Sequence, residues 1–443
     1  MKILIPSSYI ELTGLIQRCL LAAKKEGFGI HHVELGVSST QQFVLIGESN
    51  PYRVNVCGAS EQLTSTVAHI EPSDLTLQYG TTNTVSSAHE GLGRDSSLAV
   101  IGIIDGEQFI DAWSSLCVYL PSSNNKAIRY VDQVDDNHLH LAWVLTVLAL
   151  DFPVEDSLVI ARAAVSNDVS RETWPKDFRY FPIPILDDSR LDIKVGWLNQ
   201  DSKISFPELE KSSLGLYPVV DDVRWIRKLL PLGISTIQLR IKNPKQSDLE
   251  KQIIESIALG EQYGAQVFIN DYWQLAIKHK AFGVHLGQED IEESNLHRLS
   301  TANIKLGLST HGYYELLRIV QVNPSYIALG HIFPTTTKKM PSKPQGLLRL
   351  ALYQSLIDTI PYTNLKDGYP TVAIGGIDHF TANRVWECGV SSLAVVRAIT
   401  LAEDTEAAIR PFSELMKDLW SPAEITSNPS LNDISMESED AFR

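Results

Sequence analysis

From residue 214 to the end of the 410s, short apolar runs alternate with amphipathic stretches in one unbroken series. The runs are LGLYPVV (214–220), ISTIQLR (234–240), AQVFIN (265–270), FGVHLG (282–287), IKLGLST (304–310), SYIALGH (325–331), PTVAIGG (370–376) and SSLAVVR (391–397). Runs that are apolar almost throughout are buried on both faces, the signature of parallel strands covered by helices. The stretches between them carry helix signals. Ser247, with Glu250 three residues later, predicts a capping box at the start of the second helix. Eight strand–helix units in roughly 210 residues fit an α/β protein whose C-terminal part is a compact (β/α)8 TIM barrel. An open doubly wound sheet is the alternative. Polar residues collect after strand ends all along the series, whereas an open sheet gathers them at one switch point. That favours the barrel.

The chain has 443 residues, more than one such barrel needs. Polar composition around 200–213 marks a boundary, giving an α/β domain over 1–205 and the barrel over 206–420. The Ser-, Asn- and acid-rich stretch 421–443 reads as a disordered tail. A net charge of −15 argues against a general nucleic-acid or anionic-membrane binder, but leaves room for a local basic pocket. Cys19, Cys57, Cys117 and Cys388 form no CxxC pair and read as reduced thiols of a cytoplasmic protein. The N-terminus lacks a long apolar segment, so no signal peptide is expected. The apolar stretch 141–154 is broken by Asp151 and Pro153 and reads as a buried helix, not a membrane span.

In a barrel the C-terminal strand ends share one mouth. Taken in order they supply Gln238, Arg240 and Lys242; Asn270 and Asp271; Asp290; Ser309, Thr310 and His311; His331, Pro334, Thr335, Thr337 and Lys338; Gly375 and Gly376; and Arg397. Each has a plain structural reading. Asp271 and Asp290 sit where helix caps sit. Arg240, Lys242 and Lys338 sit where solvated rim charges sit, and His285 suits a satisfied core histidine. Their joint placement favours chemistry. Two carboxylates on neighbouring strand ends can share one hard cation, for which Mg²⁺ is the choice. Arg and Lys beside them suit a diphosphate. The Gly375–Gly376 pair and the end of the last strand suit a second phosphate, because glycine lets the backbone approach it closely.

These segments resemble the thiamine-phosphate synthase family over roughly 214–415. The likeness is carried by QLRIK (238–242), FINDYWQLAIKH (268–279), GVHLGQED (283–290), GLSTH (307–311), ALGHIFPTTTKKMPSKPQG (328–346), TVAIGGI (371–377) and LAVVRAI (393–399), in order and at barrel spacing. The resemblance implies coupling of 4-amino-2-methyl-5-hydroxymethylpyrimidine diphosphate to a thiazole phosphate. Diphosphate leaves first, and the thiazole nitrogen then attacks the pyrimidine-methyl cation. It also implies that Asp271 and Asp290 bind Mg²⁺. Arg240, Lys242, Asn270 and Lys338 would hold the diphosphate, and Gln238 and Ser309 would contact the pyrimidine. Thr335, Thr337, Gly376 and the backbone near Val396 would hold the thiazole phosphate. Lys338, Ser309 and Arg240 carry the catalytic assignment.

Two positions depart from the family pattern: Tyr272 stands where many relatives have a basic residue, and Arg397 where serine is common. Thiazole tautomerases share the barrel but need neither the two carboxylates nor the cation set. A pathway-binding or regulatory protein is a further alternative, and a homo-oligomeric assembly is left open.

The first two hundred residues carry strand-like runs at MKILIP, QQFVLIG, SLAVIGIID and SSLCVYL. The stretch 137–166 resembles the paired helices of hydroxymethylpyrimidine kinases and other ribokinase-like proteins. The place of their Gly-rich catalytic turn reads VDDNHLH here (134–140). The resemblance therefore implies a degenerate kinase-like domain.

Overall fold

The computed structural model describes residues 1–48, 50–58, 72–80, 85, 92, 97–105, 108–113, 116–120, 133–166, 173–197, 204–335, 343–363 and 366–417. The stretch 421–443, expected as a tail, lies outside them. The chain divides into two compact units, Met1–Lys194 and a second beginning at Val195.

The first unit is built on a nine-stranded mixed sheet. Its strands are β1 (Lys2–Ile5), β2 (Glu34–Val37), β3 (Phe43–Ile46), β4 (Tyr52–Cys57), β5 (Leu75–Tyr79), β6 (Leu98–Asp105), β7 (Gln108–Trp113), β8 (Leu116–Leu120) and β9 (Ile183–Pro184). Their spatial order is β2-β1-β3-β4-β5-β6-β7-β8-β9. The β1/β2, β4/β5 and β5/β6 pairs are parallel, and β6/β7 and β7/β8 are antiparallel. Helix α1 (Leu12–Lys25) packs against α2 (Gln133–Ala149), which packs against α3 (Val154–Ser166). The apolar stretch read as a buried helix lies mostly in α2, where Leu141 through Leu145 are at most 1 % exposed. VDDNHLH lies inside the same helix rather than at a turn before it. Among the described residues no helix is long and apolar enough to cross a membrane.

One polar cluster is sealed in this unit. Arg162 of α3 donates two 2.6 Å hydrogen bonds to Asp111 of β7, and the Gly102 N–H donates a third. Burial alone raises the Asp111 carboxyl, but the Arg162 charge and its hydrogen bonds outweigh it and hold the group below its usual value. His140 Nδ1 meets the Tyr79 hydroxyl at 2.9 Å. Burial, reinforced by the Arg162 charge, drops the His140 pKa to about 3. The ring is therefore neutral at neutral pH, and its 3.9 Å approach to Asp111 is not an ion pair there.

The second unit is a closed barrel of eight parallel strands. They are β12 (Leu216–Val220), β13 (Thr236–Leu239), β14 (Gln266–Asn270), β15 (Gly283–Leu286), β16 (Lys305–Thr310), β17 (Tyr326–Gly330), β18 (Thr371–Ile374) and β19 (Ser392–Val395), coming after a small hairpin of β10 (Asp187–Asp188) and β11 (Ile193–Lys194) in the first unit. Every apolar run read from the sequence contains one of them, and β19 closes on β12 through Leu216↔Leu393. Outer helices include α4 (Val223–Leu229), α5 (Leu249–Tyr263), α6 (Trp273–Lys278) and α7 (Gln288–Glu292). The capping box expected from Ser247 and Glu250 is not formed. Asp248 is the N-cap, and Glu250 instead accepts from Lys278 and His279.

The N-terminal half of the barrel interior is packed solid. Leu209, Leu214, Tyr217, Phe268 and Tyr326 form one cluster there with Val219, Ala328, Val372 and Ala394. Two glycines make room for the rings. Gly283 pairs with Phe268 across β14/β15, and Gly307 with Tyr326 across β16/β17. A Cβ at either glycine would overlap its neighbour's ring. The segment before β12 is tied on by the Leu209 N–H, which donates to Tyr362 Oη, and by Ser325 Oγ, which donates to the Pro207 carbonyl.

Candidate active site

The floor of rings leaves a cavity of about 540 Å³ at the C-terminal strand ends. Its wall includes Gln238, Arg240, Asn270, Asp271, Asp290, Ser309, Thr335, Gly376 and Val396, nine of the residues picked from sequence. Lys242 is exposed and lies outside the lining. Thr337 and Lys338 fall outside the described residues.

Asp271 and Asp290 reach this wall by different local routes. Asp271 comes directly after β14 with φ 65°, in the left-handed region that side chains seldom adopt, though Asp more readily than most. Its N–H donates to the His285 carbonyl on β15, and the Trp273 N–H donates to its own carbonyl. The cap position that sequence offered for it is taken by Tyr272 instead. Asp290 is the third residue of α7, whose N-cap is Gly287; its Oδ2 accepts from the Gly287 N–H at 3.3 Å, one half of a capping box that glycine, having no side chain, does not complete. It also lines the cavity, so the structural and chemical readings of Asp290 are compatible. Tyr272, the first departure from the family pattern, donates its hydroxyl to the Ile241 carbonyl at 2.8 Å. It thereby ties the loop carrying Arg240 to the turn carrying Asp271. Arg397, the second departure, lines the cavity beside Val396.

On the opposite wall, Gly375 and Gly376 have φ of 107° and 68°. Any side chain there would be strained and would also collide, since a Cβ on Gly376 would lie 2.7 Å from Phe333 Cβ. The pair lets this loop lie against the 331–334 segment, where the Ile332 and Phe333 N–H groups donate to the Ile374 and Gly375 carbonyls. Gln345 braces the same segment by donating to the Gly330 and His311 carbonyls. His331 lines the cavity at 6 % exposure, and its Nδ1 has no hydrogen-bond partner among the described residues. Burial, then the neighbouring His311, lowers its pKa, which favours a neutral ring. His285 is the satisfied histidine expected from sequence, with both ring nitrogens hydrogen-bonded, yet it also lines the cavity. Asp378, Gly287 and Leu401 line the wall without having been singled out. Asp378 stands two residues past the glycine pair, a signal that strand-end counting stopped short of.

The two carboxylates are a sufficient donor set for magnesium. They come after adjacent paired strands, line one cavity, and are both hard oxygen donors. Mg²⁺ characteristically takes one or two carboxylates and completes its shell with water and phosphate.

A closed parallel barrel with carboxylates, an arginine and a glycine pair around a shared mouth has the layout of a barrel enzyme, whose active site lies at the C-terminal strand ends. The family profile described as thiamine monophosphate synthase matches residues 216–399. The thiamine-phosphate synthase of Serratia proteamaculans (strain 568) is 53 % identical over 204 residues, covering 46 % of this chain and 92 % of that protein. That of Salmonella schwarzengrund (strain CVM19633) is 55 % identical over 195 residues, covering 44 % of this chain and 88 % of that protein. Among solved structures, a thiamine phosphate pyrophosphorylase from Pyrococcus furiosus aligns at 27 % identity and a TM-score of 0.40, covering 47 % of this chain and 98 % of that one. The chain belongs to the thiamine-phosphate synthase family.

Proposed function

We propose that the barrel joins 4-amino-2-methyl-5-hydroxymethylpyrimidine diphosphate to a thiazole phosphate, releasing diphosphate and forming thiamine phosphate. The observation that carries this reading is the joint placement of Asn270, Asp271, Asp290 and Arg240 on neighbouring strand ends over one cavity, with the Gly375–Gly376 turn on the far wall. Asp271 and Asp290 would hold Mg²⁺, which when bound neutralises charge on the departing diphosphate. Arg240 and Asn270, with Lys242 and Lys338, would hold the same group. Thr335, Thr337, Gly376 and the backbone at Val396 would receive the thiazole phosphate, with Arg397 adding charge. Gln238 and Ser309 would face the pyrimidine. Catalysis then rests on preorganised charge around the leaving group. The thiazole nitrogen that attacks carries no proton, so no general base is needed.

Residues 206–420 are assigned to this synthase domain, and residues 1–205 to a kinase-like α/β domain without kinase activity. Supporting the second assignment, VDDNHLH continues α2 instead of forming a turn before it. One experiment addresses both. The full chain, both substrates and Mg²⁺ are expected to yield thiamine phosphate and diphosphate by mass spectrometry; no product would refute the synthase reading. Replacing the pyrimidine diphosphate by its monophosphate plus ATP-Mg²⁺ is expected to give no thiamine phosphate. Product in that arm would make the first domain an active kinase.

A further inference from the structure

A line of hydrogen bonds runs through the barrel interior beneath the cavity. Gln238 Nε2 donates to Tyr217 Oη at 3.2 Å. The Tyr217 and Tyr326 hydroxyls meet at 2.9 Å. Tyr326 Oη meets His285 Nδ1 at 2.7 Å, and His285 Nε2 meets Ser309 Oγ at 2.9 Å. Both ends of the line, Gln238 and Ser309, line the cavity. The two tyrosines in its middle are 1 % and 0 % exposed, so neither hydroxyl turns to solvent.

The inventory of protons orders the whole line. The Gln238 NH₂ only donates to Tyr217, so if the buried Tyr217 hydroxyl is to place its own proton within the line, that proton goes to Tyr326. Tyr326, already accepting, gives its own proton to His285 Nδ1. With Nδ1 accepting, the neutral imidazole carries its hydrogen on Nε2 and donates to Ser309 Oγ. The Ser309 hydrogen is then left to point into the cavity. At the other end, the amide turned with Nε2 inward leaves Gln238 Oε1 as an acceptor. The cavity therefore presents an acceptor at Gln238 and a donor at Ser309. A 4-aminopyrimidine offers the complement: its exocyclic amine donates and its adjacent ring nitrogen accepts.

We propose that this line is a positioning relay, in which Tyr217 and Tyr326 couple Gln238 to Ser309 and hold the pair in the polarity that reads an aminopyrimidine. The proposal rests on the reading that places the pyrimidine at Gln238 and Ser309. Neither tyrosine need touch substrate; each acts through the proton it passes on. Packing alone would not couple the Tyr217 hydroxyl to Ser309, three hydrogen bonds away.

The test is a double-mutant cycle on the full chain, with the aminopyrimidine monophosphate as probe and Kd as readout. Ser309→Ala and Tyr217→Phe are each expected to weaken binding roughly tenfold, the scale of one lost hydrogen bond to a buried partner. The double variant is expected to bind no more weakly than the worse single one, and KM for the thiazole phosphate is expected to hold. If the two losses multiply, or if Tyr217→Phe folds and binds as the parent does, the relay is refuted. If Ser309→Ala binds normally, the placement of the pyrimidine fails, and the relay fails with it. Should Tyr217→Phe not fold, Tyr326→Phe completes the same cycle under the same criteria.

Discussion

At the scale of single residues, the site is a set of compromises between backbone and chemistry. Asp271 tolerates a left-handed backbone that costs most side chains about 1 kcal/mol. An observed conformation of that kind at a cavity wall points to a role for the side chain. Asn accepts the same backbone and nearly the same shape, so Asp271→Asn separates charge from fold. It is expected to leave the thermal midpoint within a few degrees while cutting turnover by about 100-fold or more, checked by melting and by thiamine phosphate formation across a Mg²⁺ titration. A modest loss repaired by extra Mg²⁺ would instead mark Asp271 as a weak outer contact. Most of the site was legible in the sequence because strand-end residues are set directly by the strand register. Lys242 lies three residues past the end of β13 at Leu239, where strand register no longer fixes which way a side chain faces. The relay was not legible: Tyr217 and Tyr326 are 109 residues apart, and only barrel closure brings their hydroxyls together.

At the scale of elements, the glycines of β15 and β16 show how the barrel trades side chains between neighbours. Gly307 gives its volume to Tyr326, and Gly283 gives its volume to Phe268. Gly307→Ala is therefore expected to destabilise the barrel by ~1–3 kcal/mol, seen as a lower urea midpoint with an unchanged m-value. It should also reduce turnover, since Tyr326 holds His285. An unchanged midpoint would mean that the ring has room to move. Helix ends were less legible than strands. Ser247 and Glu250 carry the letters of a capping box, yet Glu250 is engaged by Lys278 and His279 from α6 and the turn after it, so a tertiary contact displaced the local one. In the first unit β1, β3, β6 and β8 fall in runs read from the sequence, while β2, β4, β5, β7 and β9 do not. Length does not separate the two sets, since β4 and β7 have six residues each and β1 and β3 four; strands in a mixed sheet are fixed as much by pairing partners distant in sequence as by their own pattern.

At the scale of the whole molecule, the two units differ in what they bury. Both units have apolar cores, and the first also encloses the charged Asp111–Arg162 pair beside His140. His140 has a folded-state pKa of about 3 against an ordinary value of 6.5. Between those values the unfolded chain binds a proton that the folded unit refuses, so stability is complete above about pH 6.5 and is lost as pH falls toward 3. The slope reaches up to about 1.4 kcal/mol per pH unit for one proton. Urea unfolding of the full chain at about pH 7 and about pH 5, either side of the ordinary histidine range, is expected to show the loss when followed by hydrogen exchange of the α2 amides around His140. His140→Gln is expected to flatten it. Equal stability of the parent at both pH values would show that the ring is not held neutral.

The rings packed beneath the cavity have one more consequence. With Phe268, Tyr217 and Tyr326 filling the lower barrel, the chamber has no back door among the described residues. In the proposed reaction, the pyrimidine at Gln238 and Ser309 and the thiazole phosphate at the facing Gly375–Gly376 wall would then share a single mouth at the C-terminal strand ends, through which both substrates enter and thiamine phosphate and diphosphate leave.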